Sequence, residues 1–524
     1  MLWCGAGFGL IVLVGLLGPS AVTVTLPQRA AWLPPYWFDT HPSAWLVIGL
    51  ALAAILSGTL GVQLGLRALA AGWQPRVRTL VGLGGTGVGA VALVPPMSSG
   101  DVLMYAAYGR VAALGESPYV TAPDDIASLG YDPVLSSTEL PWQGTTLVYG
   151  PVASWLQEAA SVLAGESTHT TVMWLHLVNA LAYVGIGLLV LVLAGRDPRA
   201  QARAVLLVLA NPVLVWAVVA GSHNDAQAVL FVVAALVVAR RSPLAAGLLI
   251  GLGAAVKLNV ALFGLALLWG MRRDRRSIAE LGAGAALGLA GTYSLVGPHA
   301  FDQLRAAGRF ISTGSQWRLI FEPLAELIPD DPARIAISAA ALASGVGIAI
   351  LLAQSVPTPP YWPGSPHRRV DPRPDAVRAA AVLCVAWLVT APYVLPWYAL
   401  VAWVPLALLA PSAGDRLLLG WTAIMSGAYV AGRVVELPPS LRLLKVGTIE
   451  EVLPVLQAIV MVLLIGWCWR RGARLRLPAA RRLGSQEDDE KRDQQDHAPP
   501  HPEQHRQFGR PEVLAQRPLV VPAE

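Results

Sequence analysis

Charge is scarce in this chain. Of its 524 residues, 14% are Asp, Glu, Lys or Arg, against about 25% in a soluble globular protein. Lysine is confined to Lys257, Lys445 and Lys491. Cysteine is confined to Cys4, Cys384 and Cys468, all in apolar stretches. No CxxC or paired spacing joins them, which argues against a disulfide framework or a cysteine zinc site. They read as small packing residues. A Walker A loop is missing, so an ATP-driven pump is excluded. HExxH and a hydrolase-type GxSxG are missing too. The run from Gly82 to Ala90 resembles GxGxxG, but it lies inside an apolar segment, where glycines let helices approach closely. Basic and aromatic residues are not interleaved as on a nucleic-acid-binding surface. The net charge of +5 comes from arginines gathered between apolar segments.

Hydrophobic residues fill the rest, at 55% of the chain. Apolar runs of about 20 residues, each long enough to cross a bilayer as a helix, recur from Leu10 to Ile465. Arginine clusters belong on the cytoplasmic side. They run from Arg67 to Arg78, Arg196 to Arg203, Arg240 to Arg241, Arg272 to Arg276 and Arg368 to Arg378, then Arg416 and Arg470 to Arg482. Placing them all inside predicts an all-α polytopic membrane protein of about 14 transmembrane helices. The expected spans are 4–24, 44–66, 78–96, 172–194, 203–219, 225–240, 243–256, 258–270, 277–297, 333–354, 377–391, 396–411, 416–431 and 451–469. Both termini fall in the cytoplasm. The opening MLW lacks a basic n-region, so it reads as a first span rather than a signal peptide. Residues 1–470 read as one membrane domain. Residues 471–524 form a tail, basic and then polar enough to be disordered.

Segments 97–171, 298–332 and 432–450 remain outside. Val152 to Leu163 reads as an interfacial helix, because a crossing there would invert everything after it. The pair 243–256 and 258–270 is short for two spans and reads equally as a broken hairpin lining a cavity.

Polar residues at the outer ends of spans are the candidates for chemistry. Asp101 sits in SSGDVLMYAAYGR, followed by Tyr105, Tyr108 and Arg110. It could be a helix N-cap or a general base at the membrane boundary. The triplet His223, Asn224 and Asp225 lies in GSHND, a short turn inside an apolar hairpin. Such residues are costly at membrane depth unless paired, so they form either a capped turn or a polar substrate site. Lys257 lies in GLGAAVKLNV with no acid beside it in sequence. It either snorkels to lipid headgroups or holds a phosphate. Tyr119 in GESPYVTAP, Tyr149 in LVYGP, and Trp397 and Tyr398 in YVLPWY are either interfacial anchors or platforms for sugar rings. Arg305, Arg309, Trp317 and Arg318 in the second outer segment either bind phosphate or are simply solvated.

The order SSGDV–YAAYGR, SPY, YGP, NPVLVW, GSHND and AAVK resembles the polyprenol-phosphomannose-dependent α-1,6-mannosyltransferases of actinobacteria, integral membrane enzymes of the GT-C class. The likeness runs over roughly residues 40–470. It implies a polyprenyl-phosphate-mannose donor and a lipid-anchored mannan acceptor, as in lipomannan and lipoarabinomannan. It also implies a site on the outer face of the plasma membrane, and it matches the family's loop aspartate to Asp101. The residues fit that scheme. A sugar already activated on a lipid phosphate needs no nucleotide domain, and inversion needs one base. Lys257 would steady the leaving phosphate, while Tyr105, His223 and Asp225 would orient donor and acceptor. No cofactor is required; a divalent metal would be compatible, but no ligand cluster demands one. The other readings are a flippase for a lipid-linked sugar, a related enzyme using another polyprenyl-phosphate sugar, or a structural partner in envelope synthesis. On the enzyme reading, Asp101, the His223–Asp225 turn and Lys257 should border one cavity.

Overall fold

The structure is a computed structural model that describes residues 1–27, 32–357 and 371–471. Of the tail expected over 471–524, Arg471 ends the last helix and the rest lies outside the described residues. Among those described there is no strand, only an isolated bridge between Thr23 and Met97. The main helices are α1 (Leu2–Leu16), α2 (Ala44–Ala70), α3 (Val77–Ala92), α4 (Asp101–Ala113), α5 (Pro151–Ala164) and α6 (Thr168–Leu193). Then come α7 (Pro198–Ala220), α8 (Asp225–Val238), α9 (Pro243–Ala254), α10 (Leu258–Gly270) and α11 (Arg275–Tyr293). The last are α12 (Asp330–Ser355), α13 (Arg373–Thr390), α14 (Pro396–Ala407), α15 (Ala413–Ala428) and α16 (Pro439–Arg471).

Five of these, α2, α6, α7, α12 and α16, are long and apolar enough to cross a membrane by length and composition. Six more apolar helices are shorter, from α3 at 16 residues to α9 at 12. The chain is therefore a membrane protein by its helices, while helix length alone carries fewer crossings than the fourteen expected. Three differences have local causes. The span expected over 4–24 ends as a helix at Leu16, where Gly18 takes a φ of +92°. The strand-like segment that follows is held to 96–98: Val24 N–H donates to Pro96 C=O at 2.9 Å, and Ser98 N–H to Val22 C=O at 2.9 Å. The segment expected outside over 432–450 is already helical from Pro439, where α16 starts. Finally, α7 shows no lipid-facing side: its apolar window is wholly buried. Hydropathy reads a lipid-facing helix and a central one alike. The interfacial helix expected over Val152 to Leu163 matches α5 in extent.

Helix α7 forms the core of the fold. Arg203 near its start donates to Asp415 on α15 through two nitrogens, both at 2.8 Å, and also to the carbonyls of Leu406 and Leu409. Both charged side chains are buried, so the paired geometry offsets the desolvation of the two ions. Asn211 caps the break within α7, accepting from the N–H groups of Val213 and Leu214. The C-terminal end of α7 then leads directly into GSHND.

Candidate functional site

Asp101 is the first residue of α4; the cap position is Gly100, and no side chain caps the helix. The N-cap reading is thereby corrected. The carboxylate is free of capping duty, although a negative charge in the first turn still gains from the helix dipole. Its backbone N–H donates to Ser99 Oγ at 3.1 Å. One carboxylate oxygen lies 3.4 Å from His223 Nδ1, and the side chain keeps 27% of its exposure. Burial works against ionisation here. The contacts from His223 and Ser99 and the positive charge of Lys257 outweigh it and hold the carboxyl below its usual range.

His223 is wholly buried and stacks flat on Trp397, with ring centroids 3.5 Å apart. Two residues on, Asp225 accepts from Lys257 Nζ at 2.7 Å. Lys257 is therefore not the unpaired cation that its sequence neighbourhood suggested. Its partner is 32 residues away in sequence and meets it because α8 and α9 form a hairpin. An ammonium has three donors, which leaves donors beyond the Asp225 bond. The same Nζ lies 4.3 Å from the Tyr398 ring centre and 5.6 Å from that of Tyr149. The Tyr149 and Tyr105 hydroxyls are 3.2 Å apart.

The YGP turn reaches Lys257 because Gly150 allows it. A Cβ at Gly150 would lie 2.2 Å from the Ala255 carbonyl oxygen. Its N–H donates to Val256 C=O at 3.2 Å, and that of Val152 to Ala255 C=O at 3.0 Å. Among the described residues, both ring nitrogens of His223, both amide atoms of Asn224 and Asp225 Oδ1 are buried without a hydrogen-bond partner. Leaving a buried polar group unpaired costs about 1–3 kcal/mol. A run of such groups beside a partly exposed carboxylate and a buried ion pair suits the capture of a polar ligand.

Asp101, Tyr105, Tyr149, His223, Asp225, Lys257, Trp397 and Tyr398 are thus linked by direct contacts, with Asn224 between two of them in the turn. Arg110 is not part of this linked set, and Tyr108 and Tyr119 meet it through the packing of Tyr149 against their cluster. Tyr108 donates to the Thr145 carbonyl at 3.0 Å and packs with Tyr119, Met104 and Leu147. The Arg110 guanidinium, expected to bind substrate, is held by Asp132 at 2.7 Å and Glu166 at 3.3 Å. These three residues tie α4 to its loop.

Two supports escaped the sequence reading. His176 on α6 shares a hydrogen bond with Ser222 Oγ, and its other ring nitrogen lies 3.0 Å from the Val91 carbonyl oxygen. Ser222 has a φ of +54°, a conformation that costs a non-glycine residue roughly 1–2 kcal/mol and that His176 helps to hold. Arg433 joins three distant segments. It donates to Glu139 at 2.9 Å, to the Ser20 carbonyl at 2.8 Å and to the Thr23 carbonyl, which fixes the segment paired with the approach to Asp101. A lone histidine within an apolar run and a single arginine in an outer segment gave no sequence signal of these roles.

Residues 2–273 match the model of a family described as alpha-(1->6)-mannopyranosyltransferase, N-terminal domain. Asp101, His223, Asp225 and Lys257 all fall inside that match; Trp397 and Tyr398 lie beyond it. A protein of Mycolicibacterium smegmatis named probable alpha-(1->6)-mannopyranosyltransferase is 38% identical over 138 residues, covering 26% of this chain and 24% of that protein. Alpha-(1->6)-mannopyranosyltransferase A of Corynebacterium glutamicum is 26% identical over 168 residues, covering 32% of this chain and 34% of that protein. These alignments span between about a quarter and a third of the relatives' length. No solved structure matches the chain. The family model covers just over half of the sequence, and the chain belongs to the alpha-(1->6)-mannopyranosyltransferase family.

Proposed function

We propose that this chain is an inverting mannosyltransferase. It takes mannose from a polyprenyl-phosphate-mannose donor and passes it to a lipid-anchored mannan, in α-1,6 linkage, at the outer face of the plasma membrane. In this reading residues 1–470 are one GT-C-like catalytic domain of about 14 crossings, with the termini inside. The relatives' names support the sugar and the linkage. The observation that carries the chemistry is the uncapped Asp101 carboxylate against His223, two residues before the Asp225 of the buried Lys257–Asp225 pair.

The reaction is a single displacement. The acceptor hydroxyl oxygen attacks the anomeric carbon, and its proton passes to a carboxylate oxygen of Asp101. The bond from that carbon to the phosphate oxygen breaks, and its electrons leave with the lipid phosphate. Asp101 serves as general base, a role worth about 10²–10⁴-fold in rate. A phosphate needs little acid assistance to leave. The donors of Lys257 not used by Asp225 are available to its oxygens, and a fixed cation in a dry site stabilises developing charge without reorganisation. The Tyr149 and Tyr398 rings flanking Lys257 keep its surroundings apolar and offer faces for the sugar. His223 and Asn224 supply ring and amide groups for hydroxyls.

The test is sugar transfer in membranes holding equal amounts of wild type or Asp101→Asn. Mannosyl phosphoryl polyprenol is the donor and a short α-mannoside the acceptor. Transfer by wild type and its loss in the variant support donor class, reaction and base together. Equal transfer by both removes Asp101 from the chemistry. Transfer by neither overturns the mannose-donor reading.

A further inference from the structure

We infer that a second cleft, built on 302–310 and the start of α12, is a subsite for a neutral glycan, and that it holds the part of the acceptor chain beyond the reacting sugar. This rests on the transferase reading above. The cavity measures about 520 Å³ and is lined by Arg305, Arg309, Phe310, Asp331 and Arg334, with Ala306 completing it. Ligand pockets commonly run from about 300 to 1,000 Å³, so the space suits several sugar units.

Three guanidiniums and one carboxylate, Asp331, line it. Two of the three are countered from just outside the lining: Arg305 lies 3.4 Å from Asp302, and Arg334 lies 3.8 Å from Asp330. A site built for phosphate would carry cations in excess. Here three guanidinium forks stand with three carboxylates, one lining the cavity and two flanking it, which supplies both donors and acceptors to vicinal hydroxyls. One guanidinium is also fixed in place, since Arg334 stacks over the Phe321 ring at 4.9 Å.

An aromatic path leads from this cleft towards Asp101. The Phe310 ring, on the cavity wall, is 6.2 Å from that of Trp142 and 6.1 Å from that of Tyr393. Trp142 keeps more than a third of its surface exposed. Ring faces of this kind receive the apolar face of a hexose. Tyr393 sits four residues before Trp397, which stacks on His223, the residue touching Asp101. Burial and then the negative charge of Asp101 push the Tyr393 hydroxyl up. The segment that follows Phe310 is anchored: Ser312 N–H donates to Pro392 C=O at 2.9 Å, Gln316 to Val389 C=O at 2.8 Å, and Trp317 to Thr390 C=O at 2.7 Å. A subsite on such an anchored segment can fix the direction of a chain that enters the active site.

The experiment uses full-length protein in detergent, as wild type, Arg309→Ala, Phe310→Ala and Trp142→Ala. Transfer is measured with linear α-mannosides from two to six units. The expected result is a KM for the six-unit acceptor raised about tenfold, the size of one lost side-chain contact. The two-unit KM and kcat should stay unchanged. Equal changes at every length, or none, overturn the subsite. Calorimetric titration with the six-unit mannoside reads binding without catalysis, and its loss in the variants is expected. No binding to wild type in that titration overturns the subsite whether or not mannose is transferred. If wild type binds the glycan yet transfers no mannose, the cleft stands and the donor assignment fails. Displacement of the bound mannoside by vesicles of anionic phospholipid, but not of neutral phospholipid, would make the cleft an anion site and overturn the proposal.

Discussion

The ammonium of Lys257 and the carboxylate of Asp225 meet at 2.7 Å, with side-chain exposures of 11% and 1%. Two ions this deeply placed depend on each other. Removing one leaves the other uncompensated, at a cost of about 3–5 kcal/mol, whereas removing both can be nearly neutral. Lys257→Met alone should therefore lower the thermal midpoint of the detergent-solubilised protein sharply. The double variant with Asp225→Asn should recover most of that loss without recovering transfer. Additive losses in the double variant would show that the two side chains act separately.

The pH dependence follows from the surroundings of Asp101. Burial raises its pKa, but His223, Ser99 and Lys257 together lower it further, to a net value below the ordinary one of about 3.9. The base form then prevails throughout the neutral range, and kcat/KM for transfer should show no acid limb from this group above about pH 5. His223→Gln removes the largest of the lowering contacts, so the limb should move upward. Stability is linked with the same sign. A carboxyl depressed by folding stabilises the protein above its unfolded pKa, and that contribution disappears as pH falls through the folded value. A wild-type limb centred well above pH 5 that survives Asp101→Asn would assign the titrating base to another residue.

The legible part of this site was whatever broke a local rule. GSHND stood out because three polar residues interrupt an apolar hairpin, and AAVK because a cation sits between two apolar halves. Pairing was not legible. Asp225 and Lys257 are 32 positions apart, and Glu139 and Arg433 are 294 apart; only tertiary packing brings them together. Hydropathy also misjudged depth. It scores α7 like any spanning helix, yet α7 is enclosed on every side, because a core helix and a lipid-facing one need the same apolar side chains. The end of α1 turned on a single backbone feature, the positive φ at Gly18, which composition averages conceal.

Arg433 makes a separate prediction about precision. Its guanidinium bonds Glu139 and two carbonyls of the segment paired with the approach to Asp101. Arg433→Lys keeps the charge but cannot serve all three acceptors at once. Transfer should fall in kcat with little change in the KM of a short acceptor, because the base is displaced while the sugar contacts persist. A rise in KM at constant kcat would instead assign Arg433 to substrate binding.

Helix α4 can carry Asp101 to its place only if it lies directly against α5. Gly109 makes that contact possible: a Cβ there would lie 2.1 Å from the Gln157 carbonyl oxygen and 2.5 Å from its carbon. The obstacle is backbone, so no side-chain rotation relieves it. Gly109→Ala in an isolated helix would help by about 1 kcal/mol, since alanine is the better helix former. Here the overpacking should cost about 1–3 kcal/mol instead and push α4 away from α5. The hydroxyl contact between Tyr105 on α4 and Tyr149 just before α5 should be lost with it. The variant should therefore melt earlier and lose transfer activity, although position 109 is buried and touches no substrate. Hydrogen exchange should show faster amide exchange in 101–113 and 151–164, with the buried α7 unchanged. Slower exchange and full activity in Gly109→Ala would mean that the two helices are not in close contact.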